Sequence, residues 1–171
     1  MRLLYPVGKI ILMLALATGC DSGDAGPNNS MGQGGSLTRF AISGNHFYVA
    51  TSSTIGVYNI AQNNFQHVRD VIVDFGLETI FANGEFLYLG ARDAMYIYSI
   101  ANPAQPSFIF RYAHIVSCDP VVVQGNRAYV TLRTGTSCNL GTNALEILDI
   151  SNPLNPQLLA NKPMTSPGGL G

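Results

Sequence analysis

Asn83-Gly84-Glu85-Phe86-Leu87-Tyr88-Leu89-Gly90-Ala91-Arg92-Asp93-Ala94-Met95-Tyr96-Ile97-Tyr98-Ser99-Ile100-Ala101-Asn102-Pro103-Ala104-Gln105-Pro106 is the stretch whose reading decides the fold. It contains a turn, a strand, a tight connection, a second strand and a proline turn. The same unit precedes and follows it. Gly44, Gly84 and Gly125 open three copies, Tyr48, Tyr88 and Tyr129 stand four residues beyond each glycine, and Ile60, Ile100 and Ile150 close the second strand. The tyrosines are 40 and 41 residues apart, and the isoleucines 40 and 50, so the third copy carries about nine extra residues between its strands. A period near 40 with several short strands per period is the pattern of propeller blades rather than of a helical array.

Each copy reads as four strands. In the second, Thr79-Ile80-Phe81-Ala82 is the inner strand, Asn83-Gly84 the hairpin turn, Phe86 to Gly90 the next strand, and Arg92-Asp93 a tight connection. Met95 to Ile100 is the third strand, and Asn102-Pro103-Ala104-Gln105-Pro106 turns the chain because proline cannot donate to a ladder. Ser107 to Tyr112 is the outer strand. The first copy repeats this with Gln62-Asn63-Asn64 in place of the proline turn. The expected architecture is all-β: a partial β-propeller of three four-stranded antiparallel blades at about 37–76, 77–118 and 119–162. Residues 164–171 then stand where a fourth blade would begin. Propellers close with four to eight blades, and a shorter arc leaves bare edges open to self-association. The chain therefore reads as part of a longer propeller; the alternative is that two copies join into a ring.

Apolar residues make up 47% of the 171 and charged residues only 11%, ample for a packed core and too little charge for a disordered chain. The basic residues are scattered, so nucleic acid is not an expected partner. The N-terminus carries an address. Arg2 and Lys9 flank a short n-region, followed by the apolar run Ile10-Ile11-Leu12-Met13-Leu14-Ala15-Leu16-Ala17. That run is shorter than the roughly 20 residues a bilayer span needs and suits a signal peptide. Ala17-Thr18-Gly19-Cys20 follows and resembles a bacterial lipobox, which makes residues 1–19 a lipoprotein signal peptide and Cys20 the lipidated residue. The rival is an ordinary secretory signal with Cys20 incidental. Asp21 to Ser36 holds five glycines and only Met31 as a large apolar residue, so residues 20–36 form a flexible tether.

Leu148-Asp149-Ile150-Ser151-Asn152-Pro153, with Pro156 three further on, resembles the strand-and-turn signature of the LVIVD-repeat family. Tyr98-Ser99-Ile100-Ala101-Asn102-Pro103 matches it more loosely, and Tyr58-Asn59-Ile60-Ala61 lacks the proline. The resemblance covers residues 37–171. It implies tandem propeller blades and a bacterial envelope setting, often with a lipid anchor, and it brings no catalytic motif to transfer.

With Cys20 assigned to lipid, Cys118 and Cys138 remain as a pair in an oxidising compartment. Cys118 precedes the third inner strand and Cys138 lies in the extra loop. A disulfide would close a loop of about 20 residues, worth roughly 3 kcal/mol in the chain-entropy picture. The rival is two free or metal-binding thiols, without CxxC or ligand-spaced histidine beside them. Arg133, Thr134, Thr136, Asn139 and Asn143 in this loop are the candidate binding residues. His46, His67 and His114 sit at three different repeat offsets, and Asp70, Asp74 and Glu78 do not make an EF-type loop, so no metal, cofactor or catalytic set is expected. The expected function is that of a lipid-anchored envelope module at the outer membrane, facing the periplasm or the surface. It binds or scaffolds a protein or glycan without catalysis. Alternatives are a spacer without ligand and a propeller enzyme of lactonase or glycan-lyase type, with its site completed by further blades.

Overall fold

The computed structural model describes residues 39–73, 76–114, 120–133 and 143–165. Twelve strands follow in chain order: β1 Phe40–Ser43, β2 His46–Ala50, β3 Thr54–Asn59, β4 Gln66–Ile72, β5 Leu77–Asn83, β6 Phe86–Ala91, β7 Ala94–Ser99, β8 Ser107–Ala113, β9 Val121–Gln124, β10 Arg127–Leu132, β11 Ala144–Asp149 and β12 Gln157–Pro163. They form three four-stranded sheets, each with its strands in chain order and antiparallel, β1 to β4, β5 to β8 and β9 to β12. Among the described residues the only helical element is a single 3-10 turn at Ala61–Asn63. The fold is the expected partial β-propeller, with blade 1, blade 2 and blade 3 in order along the chain.

The repeat extends to details that the spacing alone does not display. Gly44, Gly84 and Gly125 all have positive φ, 56°, 59° and 56°. Asn83 pairs with Phe86 across the hairpin, so the two-residue loop is Gly84-Glu85 and not Asn83-Gly84 as the sequence suggested. Glycine at the first loop position with positive φ is the type II′ pattern, which matches the strand twist. The ladders between third and fourth strands slip at one repeat position, between Val57 and Tyr58, Ile97 and Tyr98, and Ile147 and Leu148. Each slip leaves one extra outer-strand residue unpaired, Val68, Ile109 or Leu159, and so bends and twists the outer strand. Met164 donates its N–H to the Asn143 carbonyl at 2.9 Å, so it prolongs the β11–β12 ladder of blade 3. The other residues expected to open a fourth blade lie, from 166 on, outside the described residues.

Hydrophobic burial stacks the blades face to face. One core joins Tyr48, Ala50, Ile55 and Val57 of blade 1 to Ile80, Leu87, Leu89, Tyr96 and Tyr98 of blade 2. A second joins Phe81, Tyr88, Met95 and Ile97 of blade 2 to Val121, Val123, Ala128, Val130 and Leu148 of blade 3. Strand burial follows directly. In β7 of the middle blade every residue but the last is buried, whereas β11 of blade 3 alternates buried and half-buried along its whole length. A sheet covered on both faces loses its alternation, and one covered on a single face keeps it. Fully burying each Leu, Ile or Val here contributes about 1.5–3 kcal/mol.

Polar links add register between blades. The Tyr48 hydroxyl donates to the Pro103 carbonyl at 3.0 Å, Arg39 to the Leu77 carbonyl at 3.3 Å, and Asn83 to the Gly125 carbonyl at 3.1 Å. The buried Thr79 hydroxyl oxygen accepts the Val121 N–H at 3.2 Å.

Candidate functional site

Antiparallel four-stranded blades place their connections at two ends. One end gathers the glycine hairpins and the turns between third and fourth strands. The other gathers the connections between second and third strands and the crossings from blade to blade.

The first end is built by a recurring turn. Asn59, Ser99 and Asp149 each accept with a side-chain oxygen from the N–H two residues on, at 2.8, 3.2 and 2.9 Å. Two further bonds then fold the chain in blades 2 and 3. Asn102 accepts the Ala104 N–H at 3.2 Å and Asn152 the Leu154 N–H at 3.1 Å, each through its side-chain amide oxygen. These local bonds give the backbone an alternative to the ladder, and the fixed φ of Pro103 and Pro153 holds the bend. Pro106 and Pro156 end the turn buried. Asp149 is also paired with Arg127 at 3.1 Å, and the Ser151 N–H, before any other cause, holds its carboxyl below the usual carboxylate range. Blade 1 keeps the Asn59 bond, replaces the rest by its 3-10 turn with Gln62 at φ 56°, and has exposed Phe65 where the others bury proline.

The LVIVD-repeat family model matches residues 78–114 and 117–161, and each span contains one copy of the strand that ends in Ser or Asp and runs into this Asn-Pro turn. The chain carries two adjacent LVIVD repeats. The matched spans take in the second and third blades, the two that carry the complete turn. No curated protein matches the chain. Among solved structures, the N-terminal domain of Nup159 is similar at 14% identity and a TM-score of 0.51, over 74% of this chain and 34% of that one. An S. cerevisiae assembly of a Dbp5 variant bound to Nup159, a Gle1 variant, IP6 and ADP gives the same figures, 14%, 0.51, 74% and 34%. The likeness is one of fold, and this LVIVD-repeat chain spans about a third of the length of those structures.

The second end is where the LVIVD blades differ. Blade 1 crosses between its middle strands through Ser52-Ser53, with the Thr51 N–H bonded to the Thr54 carbonyl at 2.9 Å. Blade 2 crosses through Arg92-Asp93. Blade 3 uses residues 133–143 between paired Leu132 and Ala144. Of the candidate binding residues, Arg133 and Asn143 are placed at the two feet of that loop. Thr134, Thr136 and Asn139 lie outside the described residues, as do Cys20, Cys118 and Cys138. The described flanks of the two later cysteines stand at one end of blade 3, where the Thr131 N–H reaches the Pro120 carbonyl at 3.2 Å.

A groove of about 340 Å³ opens on the flank between blades 1 and 2, lined by Ile72, Val73, Tyr96, Tyr98, Phe108 and Arg111. Its floor is apolar, since Tyr96 and Tyr98 are packed into the interface, as blade-packing residues. Phe108 stands edge-on to Tyr98 at 5.8 Å and is 56% exposed. Arg111 is fixed at the rim: it is paired with Asp93, its Nε donates to the Tyr96 hydroxyl at 3.3 Å, and its charge lies 5.9 Å from that ring's centre. The bond to Asp93, and then that to Tyr96, raises the guanidinium's pKa further. An aromatic wall with an anchored cation and carboxylate suits a neutral polar ligand or a peptide. The Asp93–Arg111–Tyr96 group did not emerge from the sequence. Its signal would have been the register that sets Tyr96 opposite Arg111.

Among the described residues no three His, Cys, Asp or Glu side chains gather into a metal-holding group. His67 is bonded to Asp70 at 3.1 Å on the exposed strand β4, while Asp74 lies outside the described residues. Glu146, 7% exposed, accepts from the Asn161 amide at 3.0 Å. Burial first, with the nearby Glu146 carboxylate adding, pushes the Tyr112 hydroxyl up to about 12. Among the described residues no helix is long and apolar enough to cross a membrane.

Proposed function

We propose that this LVIVD-repeat protein is a lipid-anchored module of the bacterial cell envelope that binds or scaffolds a protein or glycan without catalysing a reaction. The observation that carries the reading is the contrast between the two ends of the blades. The first end repeats one turn bond for bond in blades 2 and 3. The second replaces a two-residue crossing in blade 2 with residues 133–143 in blade 3. Variable loops on a rigid scaffold are where binding residues concentrate. The flank groove, with Phe108 exposed and Arg111 anchored, offers the aromatic and charged contacts that peptides and sugars use.

The anchor rests on Ala17-Thr18-Gly19-Cys20 after the apolar run. Two or three acyl chains on Cys20 hold a protein durably, since each buried methylene adds about 0.8 kcal/mol and a single chain is marginal. Pairing of Cys118 with Cys138 staples the binding loop to the start of blade 3, and the outer membrane is the expected site. Capture from envelope extract tests the binding reading. Shortening residues 133–143 to the Arg-Asp crossing of blade 2 abolishes the specific partner; undiminished capture by that variant refutes the reading. Labelled palmitate enters the parent chain and not the Cys20→Ser variant if the anchor is right.

A further inference from the structure

The groove on the flank between blades 1 and 2 owes its polar rim to the outer-strand bulge. Along a regular strand, residues three apart face opposite ways. Here Phe108 pairs with Tyr98 and Arg111 with Tyr96, so the extra residue Ile109 returns Phe108 and Arg111 to one face, two rungs and roughly 7 Å apart. All four side chains line the groove, and Ile72 of blade 1, 83% exposed, forms the facing wall. The same bulge brings together His67 and Asp70 in blade 1 and Leu158 and Asn161 in blade 3. His67 is bonded to Asp70, and Asn161 donates to Glu146 beside an aliphatic Leu158. Blade 2 alone sets an aromatic ring beside a guanidinium.

The two joints between blades differ at this position. Between blades 2 and 3, Tyr112 bonds to Glu146, the register equivalent of Tyr96. Blade 1 has Val71 where blade 2 has Tyr112, and its side chain has no polar group to reach across. The polar atoms of the first joint are instead tied to one another at the groove's rim. Arg111 Nε donates to the Tyr96 hydroxyl at 3.3 Å, that hydroxyl faces Asp93 Oδ1 at 3.4 Å, and the Arg111–Asp93 pair closes the circle. The circle holds each group in place yet uses only part of the five N–H donors of a guanidinium. The Arg111 and Asp93 side chains remain 41% and 38% exposed.

We infer that this groove binds a neutral hexose unit of a glycan chain. The sugar's flat C–H face lies on Phe108 and Ile72, and two neighbouring hydroxyls bridge Arg111 and Asp93. The Arg111–Asp93 pair has no net charge, so it does not select an ion. A fixed donor beside a fixed acceptor is matched by a pair of hydroxyls, each of which both donates and accepts. Groups already held in place lose little freedom on binding, and about 340 Å³ is within the size range of ligand sites. A peptide added as a further strand needs an unbroken edge, and the bulges at Val68 and Ile109 interrupt both β4 and β8. The inference rests on reading the chain as a binding module, and it names the ligand class of a surface separate from residues 133–143.

Screening the full chain on an array of neutral, anionic and cationic oligosaccharides tests this, with the protein purified as its host processes it and held in a detergent without a sugar headgroup. Binding to neutral glycans is expected, and the strongest neutral oligosaccharide is then titrated in solution. Phe108→Ala and Arg111→Lys each weaken that binding about tenfold, the effect of losing an anchor. Lysine fails because a single ammonium cannot reproduce the planar fork that meets Tyr96, Asp93 and a hydroxyl together. Leu158→Ala, at the register equivalent of Phe108, leaves the affinity unchanged. Thermal melting confirms that the variants stay folded. An array without neutral binders, a preference for anionic glycans, or undiminished affinity in Phe108→Ala overturns the inference. So does a protein from envelope extract whose capture needs Phe108 while no neutral glycan binds. The two readings fail separately: neutral-glycan binding that needs Phe108, with partner capture indifferent to residues 133–143, supports the groove and refutes the loop, and loop-dependent capture without glycan binding does the reverse.

Discussion

Tyr48 shows how much one side chain can say about this fold. Its ring is fully buried between blades 1 and 2, and its hydroxyl reaches the carbonyl of exposed Pro103. Tyr48→Phe keeps the packing and loses the bond, and because water can reach Pro103 the cost is about 0.5–1 kcal/mol, read as a shift in the denaturation midpoint. Burial pushes the hydroxyls of Tyr48 and Tyr88 up to about 12 from an ordinary 10.0. Between those values the unfolded chain releases protons that the folded chain retains. Stability is therefore unaffected below pH 10 and falls as pH rises from 10 to 12, by at most about 1.4 kcal/mol per pH unit for each tyrosine. Tyr48→Phe flattens that alkaline slope in a melting series; an unchanged slope contradicts the assignment. Gly84 makes the complementary point. A β-carbon there meets nothing within 4 Å, yet φ is 59°. Gly84→Ala thus costs about 1 kcal/mol from backbone conformation alone. The tyrosine and glycine ladders were readable because each marks a position that every copy must satisfy. The Asp93–Arg111–Tyr96 group was not, because it depends on a ladder that slips by one residue and occurs in a single copy.

The strands divide by where the blades cover them. Leu89 in β6 is fully buried between blades, whereas Leu158 in β12 is 49% exposed. Leu89→Ala should cost about 2–5 kcal/mol by loss of burial and cavity formation, and Leu158→Ala no more than about 0.5 kcal/mol. Equal losses in a denaturant titration would mean that the outer strand is not where the ladder puts it. Strand existence was legible from short apolar runs between glycine and proline turns. The outer-strand bulges at Val68, Ile109 and Leu159 were not, since these positions share only apolar character and carry no turn residue. The hairpin loop was misplaced by one residue, because Asn-Gly commonly fills both loop positions and here Asn83 ends a strand instead.

The molecule as a whole is an ordered stack, and its middle layer is special. Composition and spacing disclosed three blades, but three equal copies do not reveal which faces are covered. That emerges only from packing: blade 2 is enclosed, and blades 1 and 3 each keep one face half-buried. The candidate loop was legible as an insertion, and its position at the variable end of the blades follows from the topology. The anchor and the cysteine pair remain proposals resting on sequence, to be tested by lipid labelling and by thiol titration of the non-reduced chain. Hydrogen exchange, resolved by strand, tests the central claim of three tandem blades packed face to face most directly. The amides of β6 and β7 in the middle blade should exchange slowest, through global opening only, with those of β2, β3, β10 and β11 faster and the exposed outer strands β4, β8 and β12 fastest. Protection spread evenly over the twelve strands, or least in β6 and β7, would contradict it.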